Sequence, residues 1–239
     1  MVFNRNTRKN TKKNNNNSKK SIITAAYAIT MNPESNRYKQ TEAAAKAAGL
    51  QLHKWDAVKV DESMGDSLME QGIGSIIFKG PKMRFKGAIG CFLAHRGLMR
   101  HIAKTEHGGQ GTLILEDDVS IPPDFMEKLK VAVADIPKDW DIIYMDKVNP
   151  NAEKVSEHIQ KFKKQMTVSN NWGNWAYIVR NKSLEDRILP LLEFMIDPVD
   201  VQLHKFADKL NIYLTTPSLI TLNKDTTMNS NINKINAGD

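Results

Sequence analysis

Three consecutive carboxylates, Glu116, Asp117 and Asp118, follow directly on the apolar run Thr112–Leu115. Side by side at the end of a buried strand they repel one another, and taking them out of water without a partner is costly. A hard divalent cation removes that cost, because carboxylate oxygens are the ligands that Mg²⁺ and Mn²⁺ take. If the chain stays extended, Glu116 and Asp118 point to one face and Asp117 to the other. Glu116 and Asp118 are therefore the candidate metal pair, placed to hold an ion that also grips a diphosphate. An acidic turn favoured by the dipole of a following helix accounts for the same three residues. Nucleotidyltransferases and phosphohydrolases use such carboxylates too, so the motif speaks of metal and phosphate before any one reaction.

The elements that must position these acids alternate between strand and helix. Ser21–Ile29 reads as a strand, Glu34–Ala48 as an Ala-rich helix closed by Gly49, and Leu52–Val58 as a second strand. Residues 61–86 lack a clear period and read as a long loop. Ala88–Lys104 carries Ile89, Phe92, Leu93, Met99 and Ile102 at helical spacing. Thr112–Leu115 reads as a buried strand, and Pro122 and Pro123 suit the first turn of a helix. Strands follow at Asp141–Met145, Trp175–Val179 and Ile212–Thr215, with helices near Ser183–Met195 and Pro198–Leu210. Such alternation predicts an α/β domain on a mainly parallel sheet, with ligands beyond the carboxyl ends of its strands.

Net charge bears on partners. The formal charge is +7, but Arg5, Arg8, Lys9, Lys12, Lys13, Lys19 and Lys20 precede every acid in the chain. Without them 27 basic residues face 27 acidic ones, so the body is formally neutral. A domain built to grip nucleic acid carries a basic surface of its own, and no specific nucleic-acid partner is expected. Residues 1–20 are Asn- and Lys-rich and should be a disordered tail; residues 233–239 should be flexible. No stretch approaches the roughly 20 apolar residues of a membrane span, and no apolar core follows the basic start as a signal peptide requires. The single cysteine, Cys91, forbids an internal disulfide and fits a cytoplasmic or other reducing compartment.

Three blocks resemble glycosyltransferase family 25, the group of the lipooligosaccharide and collagen galactosyltransferases. Phe85–Arg96, with Gly90, Cys91 and His95, is similar to the family's G-E-[IL]-G-C-x-x-S-H helix. Leu113–Val119 resembles its L-[IV]-L-E-D-D block. Gly173–Val179 followed by Pro198–Asp200 resembles its G-T-x-[AG]-Y-[IL]-[IV]…P-[IV]-D segment. Asn32 and Arg37 are a weaker match to its N-L-D-R…R start, and 217–232 to its closing segment. Ala88, Ala94 and Asn174 stand where the family has Glu, Ser and Thr.

The resemblance implies a single GT-A-like nucleotide-sugar transferase domain over 21–232. It further implies a UDP-sugar donor, Mn²⁺ or Mg²⁺, and inversion at the anomeric carbon, as in lipopolysaccharide biosynthesis. Inversion in one displacement needs a carboxylate base by the acceptor hydroxyl. Asp200 is the first choice for that base, with Asp146 and then Asp197 behind it; capping of a short helix accounts for Asp200 equally. Asn32, Arg37, His95 and Asp117 are the donor-side candidates, and His95 is otherwise a packed core histidine. Trp172 and Tyr177 are the acceptor-side candidates, Trp172 by stacking on a sugar face. Cys91 reads as packing, and His204 either completes the metal shell or, the preferred reading, is a surface residue of an amphipathic helix. The acceptor class stays open among glycan, lipid-linked and protein hydroxyls. The rival readings are a degenerate carbohydrate-binding or assembly protein, and a metal-dependent nucleotidyltransferase.

Overall fold

The computed structural model describes residues 21–73, 86–106, 110–147, 149, 151–164 and 173–223. From the N-terminal side the chain forms β1 (Ile23–Thr30), α1 (Asn36–Ala47), β2 (Leu52–Asp56) and the short α2 (Gly65–Glu70). The long α3 (Lys86–Thr105) leads to β3 (Gly111–Glu116), β4 (Val119–Ser120) and α4 (Phe125–Ala132). Then come β5 (Ile142–Tyr144), β6 (Glu153–Lys154), β7 (Ile159–Lys161) and β8 (Ala176–Arg180). The last elements are α5 (Val199–Lys205), β9 (Ile212–Thr215) and β10 (Thr221–Leu222).

One sheet in the order β2-β1-β3-β8-β5-β9-β7-β6 organises the domain, and β4 pairs separately with β10. Strands β2, β1, β3, β5, β9 and β6 run one way; β8 and β7 oppose them. The sheet is thus mainly parallel and flanked by helices, as the alternation of elements predicts. Strands β3, β5, β8 and β9 bury both faces, which is why they read as continuous apolar runs rather than alternating ones. Tyr27, Ile29, Ile114, Tyr144 and Tyr177 join one core with α3 and α5. Ala26, Ala28, Leu113, Leu115 and Ile178 join the other with α1 and α4.

Local chemistry sets the element ends. Ser35 caps α1, its Oγ accepting from Tyr38 N at 3.2 Å. Gly90 lets α3 lie on the backbone after β2: a Cβ there would strike the Val58 carbonyl oxygen. Gly90→Ala should therefore lower stability by about 1–3 kcal/mol, the usual range for overpacking. A melting curve checks this, and an unchanged Tm would mean that α3 can move away.

Several expectations need correction. Part of the stretch 61–86 is helical, as a single turn at Glu62–Met64 and then α2; residues 74–85 lie outside the described ones. The helix expected over Ser183–Met195 is instead a chain of tight and wide turns across Asn181–Leu192. Pro190 lacks the N–H that a continuous helical ladder needs there. The helix expected at Pro198–Leu210 ends at Lys205. Strands β4, β6, β7 and β10 are two or three residues long, too short to show a period. The tail 1–20 and the end 233–239 lie outside the described residues. Among the described residues no helix is long and apolar enough to cross a membrane.

Candidate active site

β1, β3 and β5 end at the same edge of the sheet, and the antiparallel β8 begins there. That edge gathers Thr30, the three acids, Asp146 and the segment Gly173–Trp175. Backbone bonds lock it together: Glu116 N donates to Trp175 O at 2.9 Å, and Met145 N to Ala176 O at 3.1 Å.

The pleat of β3 decides where the first two acids go. Ile114 faces the α3 core, so Glu116, two residues on, turns to the same side; Asp117 turns to the α1 side. There Asp117 accepts from Thr30 Oγ1 at 2.6 Å and from Arg37 at 2.8 Å. Thr30 Oγ1 in turn accepts from Asn32 N, and Asn32 Oδ1 accepts from Glu34 N, so exposed Asn32 shapes the turn into α1. Thr41 Oγ1 holds the backbone by donating to the carbonyls of Asp117 and Val119.

Asp118 does not follow the extended alternation expected of it. The strand stops at Glu116 and the chain turns, so Asp118 meets Arg37 at 2.9 Å, beside Asp117. Its other oxygen, Oδ1, is buried and has no hydrogen-bond partner among the described residues. Burial, helped by the neighbouring Glu116 and opposed by Arg37, pushes the Asp118 carboxyl up to about 6.

On the α3 side, His95 is buried and its Nδ1 shares a 2.7 Å hydrogen bond with the Tyr177 hydroxyl. Its Nε2 lies 3.6 Å from Glu116 Oε1 and has no hydrogen-bond partner among the described residues. Tyr177, expected at the acceptor side, is fully buried beneath the site, where its ring presents no open face to a sugar. Trp172 lies outside the described residues.

The remaining carboxylates stand across the cluster. Asp146 accepts from Trp175 N at 3.2 Å through Oδ2, while Oδ1 is buried with no hydrogen-bond partner among the described residues. Burial pushes the Asp146 carboxyl up to about 6 against the pull of Lys147. Asp200, buried in the first turn of α5, accepts from Gly173 N at 2.5 Å rather than capping its own helix. Gly173 has φ +90°, in the left-handed region that favours glycine, and its carbonyl accepts from Lys147. Lys147 is buried, which lowers its pKa, and it feels Asp146, Asp200 and Glu116 together. Asp197 is drawn aside into an ion pair with Lys205 at 2.5 Å.

Thr30, Thr41 and Lys147 escape a reading of the sequence alone. The one available signal was Lys147 itself, a cation directly after an acid at the end of an apolar strand.

His204 is buried, not on the surface, and it stacks on Phe162 with ring centres 4.7 Å apart. Burial, with Lys147 nearby, pushes its imidazole down to about 3. The folded chain holds it neutral, whereas an unfolded chain protonates it near pH 6.5. Its contribution to stability is thus complete above about pH 6.5 and drains away as pH falls toward 3. The raised Asp118 and Asp146 act oppositely, gaining stability as pH falls from about 6 toward the ordinary value of 3.8. His204→Phe removes only the first effect. Tm measured against pH should lose less below pH 6.5 in that variant than in the parent, and parallel curves would count against a neutral buried imidazole.

A known family matches most of this chain. The profile described as "Glycosyltransferase family 25 (LPS biosynthesis protein)" covers residues 23–201. The chain belongs to glycosyltransferase family 25. Procollagen galactosyltransferase 1 of Danio rerio is 22% identical over 137 residues, which are 53% of this chain and 22% of that protein. The human inactive glycosyltransferase 25 family member 3 is 28% identical over 123 residues, 46% of this chain and 20% of that protein. The matches therefore span about a fifth of these relatives' length. A solved glycosyltransferase involved in glycosylation of the major capsid of PBCV-1 aligns with a TM-score of 0.49 and 8% identity. That alignment takes in 90% of this family 25 chain and 97% of the solved one.

Proposed function

We propose that this chain transfers a hexose from a UDP-sugar to an acceptor hydroxyl, inverting the anomeric centre, with a divalent cation at the acidic turn. What carries this reading is the convergence of Glu116, Asp117, Asp118, Asp146 and Asp200 at one sheet end, interleaved with Arg37 and Lys147. Among the described residues carboxylates outnumber cations there, and the buried Asp118 Oδ1 has no hydrogen-bond partner. A hard cation, Mn²⁺ or Mg²⁺, fits that excess, with Asp118 and, across the turn, Glu116, whose charge Asp118 feels, as its ligands. When bound, it would offset the negative charge of the departing diphosphate.

The protein's own groups supply the rest. Arg37 binds Asp117 and Asp118 together and so fixes the turn. Asp117, held by Thr30 and Arg37, is the strut of the donor side. Asp146 is the base: Oδ1 is unpartnered, and a carboxyl raised to about 6 is matched to proton transfer near neutrality. It takes the acceptor's proton as the acceptor oxygen bonds to the anomeric carbon and the carbon–diphosphate oxygen bond breaks. Asp200 orients the Gly173–Trp175 segment beside it through the Gly173 N–H.

The names of the collagen-modifying relatives make UDP-galactose the first donor to try and a protein hydroxyl the first acceptor. Thermal stability against a panel of nucleotide sugars, with and without Mn²⁺, tests the reading. A ligand at 100 times its Kd stabilises the fold by about 2.7 kcal/mol. A rise with one UDP-sugar plus Mn²⁺ is the expected result. A cooperative melt that no donor shifts would move the chain to the non-catalytic reading. Release of pyrophosphate instead of a nucleoside diphosphate would make it a nucleotidyltransferase.

A further inference from the structure

The Cys91, His95 and Glu116 side chains each bring one ligand atom within 4.8 Å of the other two. Cys91 and His95 are four residues apart on α3, hence on one face, and Glu116 reaches them from the end of β3. His95 is 1% exposed, and its unpartnered Nε2 is aimed into the gap, 3.6 Å from Glu116 Oε1. Such a nitrogen has lost its water without gaining a partner, which is costly unless something completes it. The other ring nitrogen is already fixed by the Tyr177 hydroxyl. When Nδ1–H donates to that oxygen, Nε2 presents its lone pair, the arrangement that orients metal-binding histidines. Glu116 keeps 22% of its side-chain surface exposed, which gives an ion a way in.

We propose that Cys91, His95 and Glu116 form a site for a thiophilic divalent cation of the zinc class, distinct from the hard-cation position beside Asp118. Sulfur, imidazole and carboxylate are the donors zinc accepts, at about 2.0–2.3 Å. Ligand atoms around a tetrahedral ion then stand roughly 3.3–3.7 Å apart, so a small closure of the present spacing suffices. Mn²⁺ and Mg²⁺ do not favour a thiolate. As the Sγ–metal bond forms, the Cys91 thiol gives its proton to solvent. Glu116 serves both positions, so the two ions exclude one another and zinc inhibits the transfer reaction. The inhibition rests on the function proposed above; the binding does not.

The chain has one cysteine, so thiolate-to-metal charge-transfer absorption can come only from Cys91. Titration of the full chain with Cd²⁺ should raise that absorption to saturation at one equivalent, with Zn²⁺ displacing it. Cys91→Ser should abolish the band while keeping Mn²⁺-dependent transfer. His95→Gln and Glu116→Gln should each weaken Cd²⁺ by at least about tenfold. Excess Mn²⁺ should raise the apparent Cd²⁺ Kd. No band in a cooperatively folded sample would overturn the site. So would a band of unchanged affinity in both the His95 and Glu116 variants, because the thiolate would then be binding alone. Mn²⁺ without effect on Cd²⁺ affinity would overturn the shared role of Glu116. A chain inactive with every donor would still give the band, which separates this test from that of the transfer reaction.

Discussion

Asp118→Asn should abolish Mn²⁺-dependent donor binding and leave the fold intact. The lost carboxylate is one of the two proposed to hold the cation, and its removal should weaken that cation by at least about 100-fold. Stability should move little, or upward. Burial holds this carboxyl up at about 6, against 3.8 when free, so its charged form opposes folding at neutral pH. The upper bound on that opposition is about 3 kcal/mol, since each pKa unit is worth about 1.4 kcal/mol. An amide removes it and gives up the Arg37 ion pair, worth less than a full buried pair because Arg37 keeps some exposure. The expected Tm of the metal-free variant is therefore at or above that of the parent. Glu116→Gln should lose Mn²⁺-dependent binding in the same way. Calorimetric titration of UDP-sugar with and without Mn²⁺ reads both variants. Undiminished Mn²⁺-dependent binding in the two would remove the metal role assigned to this turn.

Asp146→Asn should lower kcat by about 10²–10⁴-fold, the usual reach of a general base, with donor binding largely retained. The parent's kcat/KM should also fall as pH drops through about 6, because the base must be unprotonated and burial sets its proton affinity there. In the Asn variant that acid limb should vanish from the residual activity. Asp200→Asn is the control. As a positioning residue it should keep the limb at pH 6 while raising the acceptor KM, because the Gly173–Trp175 segment loses its anchor. A lost acid limb in the Asp200 variant and a retained one in the Asp146 variant would exchange the two roles.

Much of this site is legible before any fold is known. Glu116–Asp118 announce themselves because three carboxylates after Thr112–Leu115 violate the ordinary partition of charge from apolar sequence. Their placement at a strand's carboxyl end follows from the same run. The spacing of Ile89, Phe92, Met99 and Ile102 sets the long helix, and the alternation of helix with strand sets the sheet class. The resemblance in three ordered blocks points to family 25, and the family match spans the same region.

What the sequence does not contain is the set of partners that lie far apart along it. The pleat of an idealised strand pairs Glu116 with Asp118, but Arg37 lies on the α1 side, and the turn after Glu116 takes Asp118 there. Local spacing cannot report an ion pair across some 80 residues. Sequence resemblance puts Asp200 ahead of Asp146 as base; what favours Asp146 is its raised carboxyl and an oxygen without a partner among the described residues, both products of packing. His204 is read as a surface residue because its neighbours on α5 are mixed, and it is buried because Tyr144 of β5 and Phe162, just after β7, pack against it. The sequence by itself determined the longer strands and helices and the presence of an acidic strand end, since these follow from near-neighbour chemistry. The tertiary structure alone decided which acid meets which cation and which groups lose their water, because desolvation and long-range pairing belong to the assembled sheet edge.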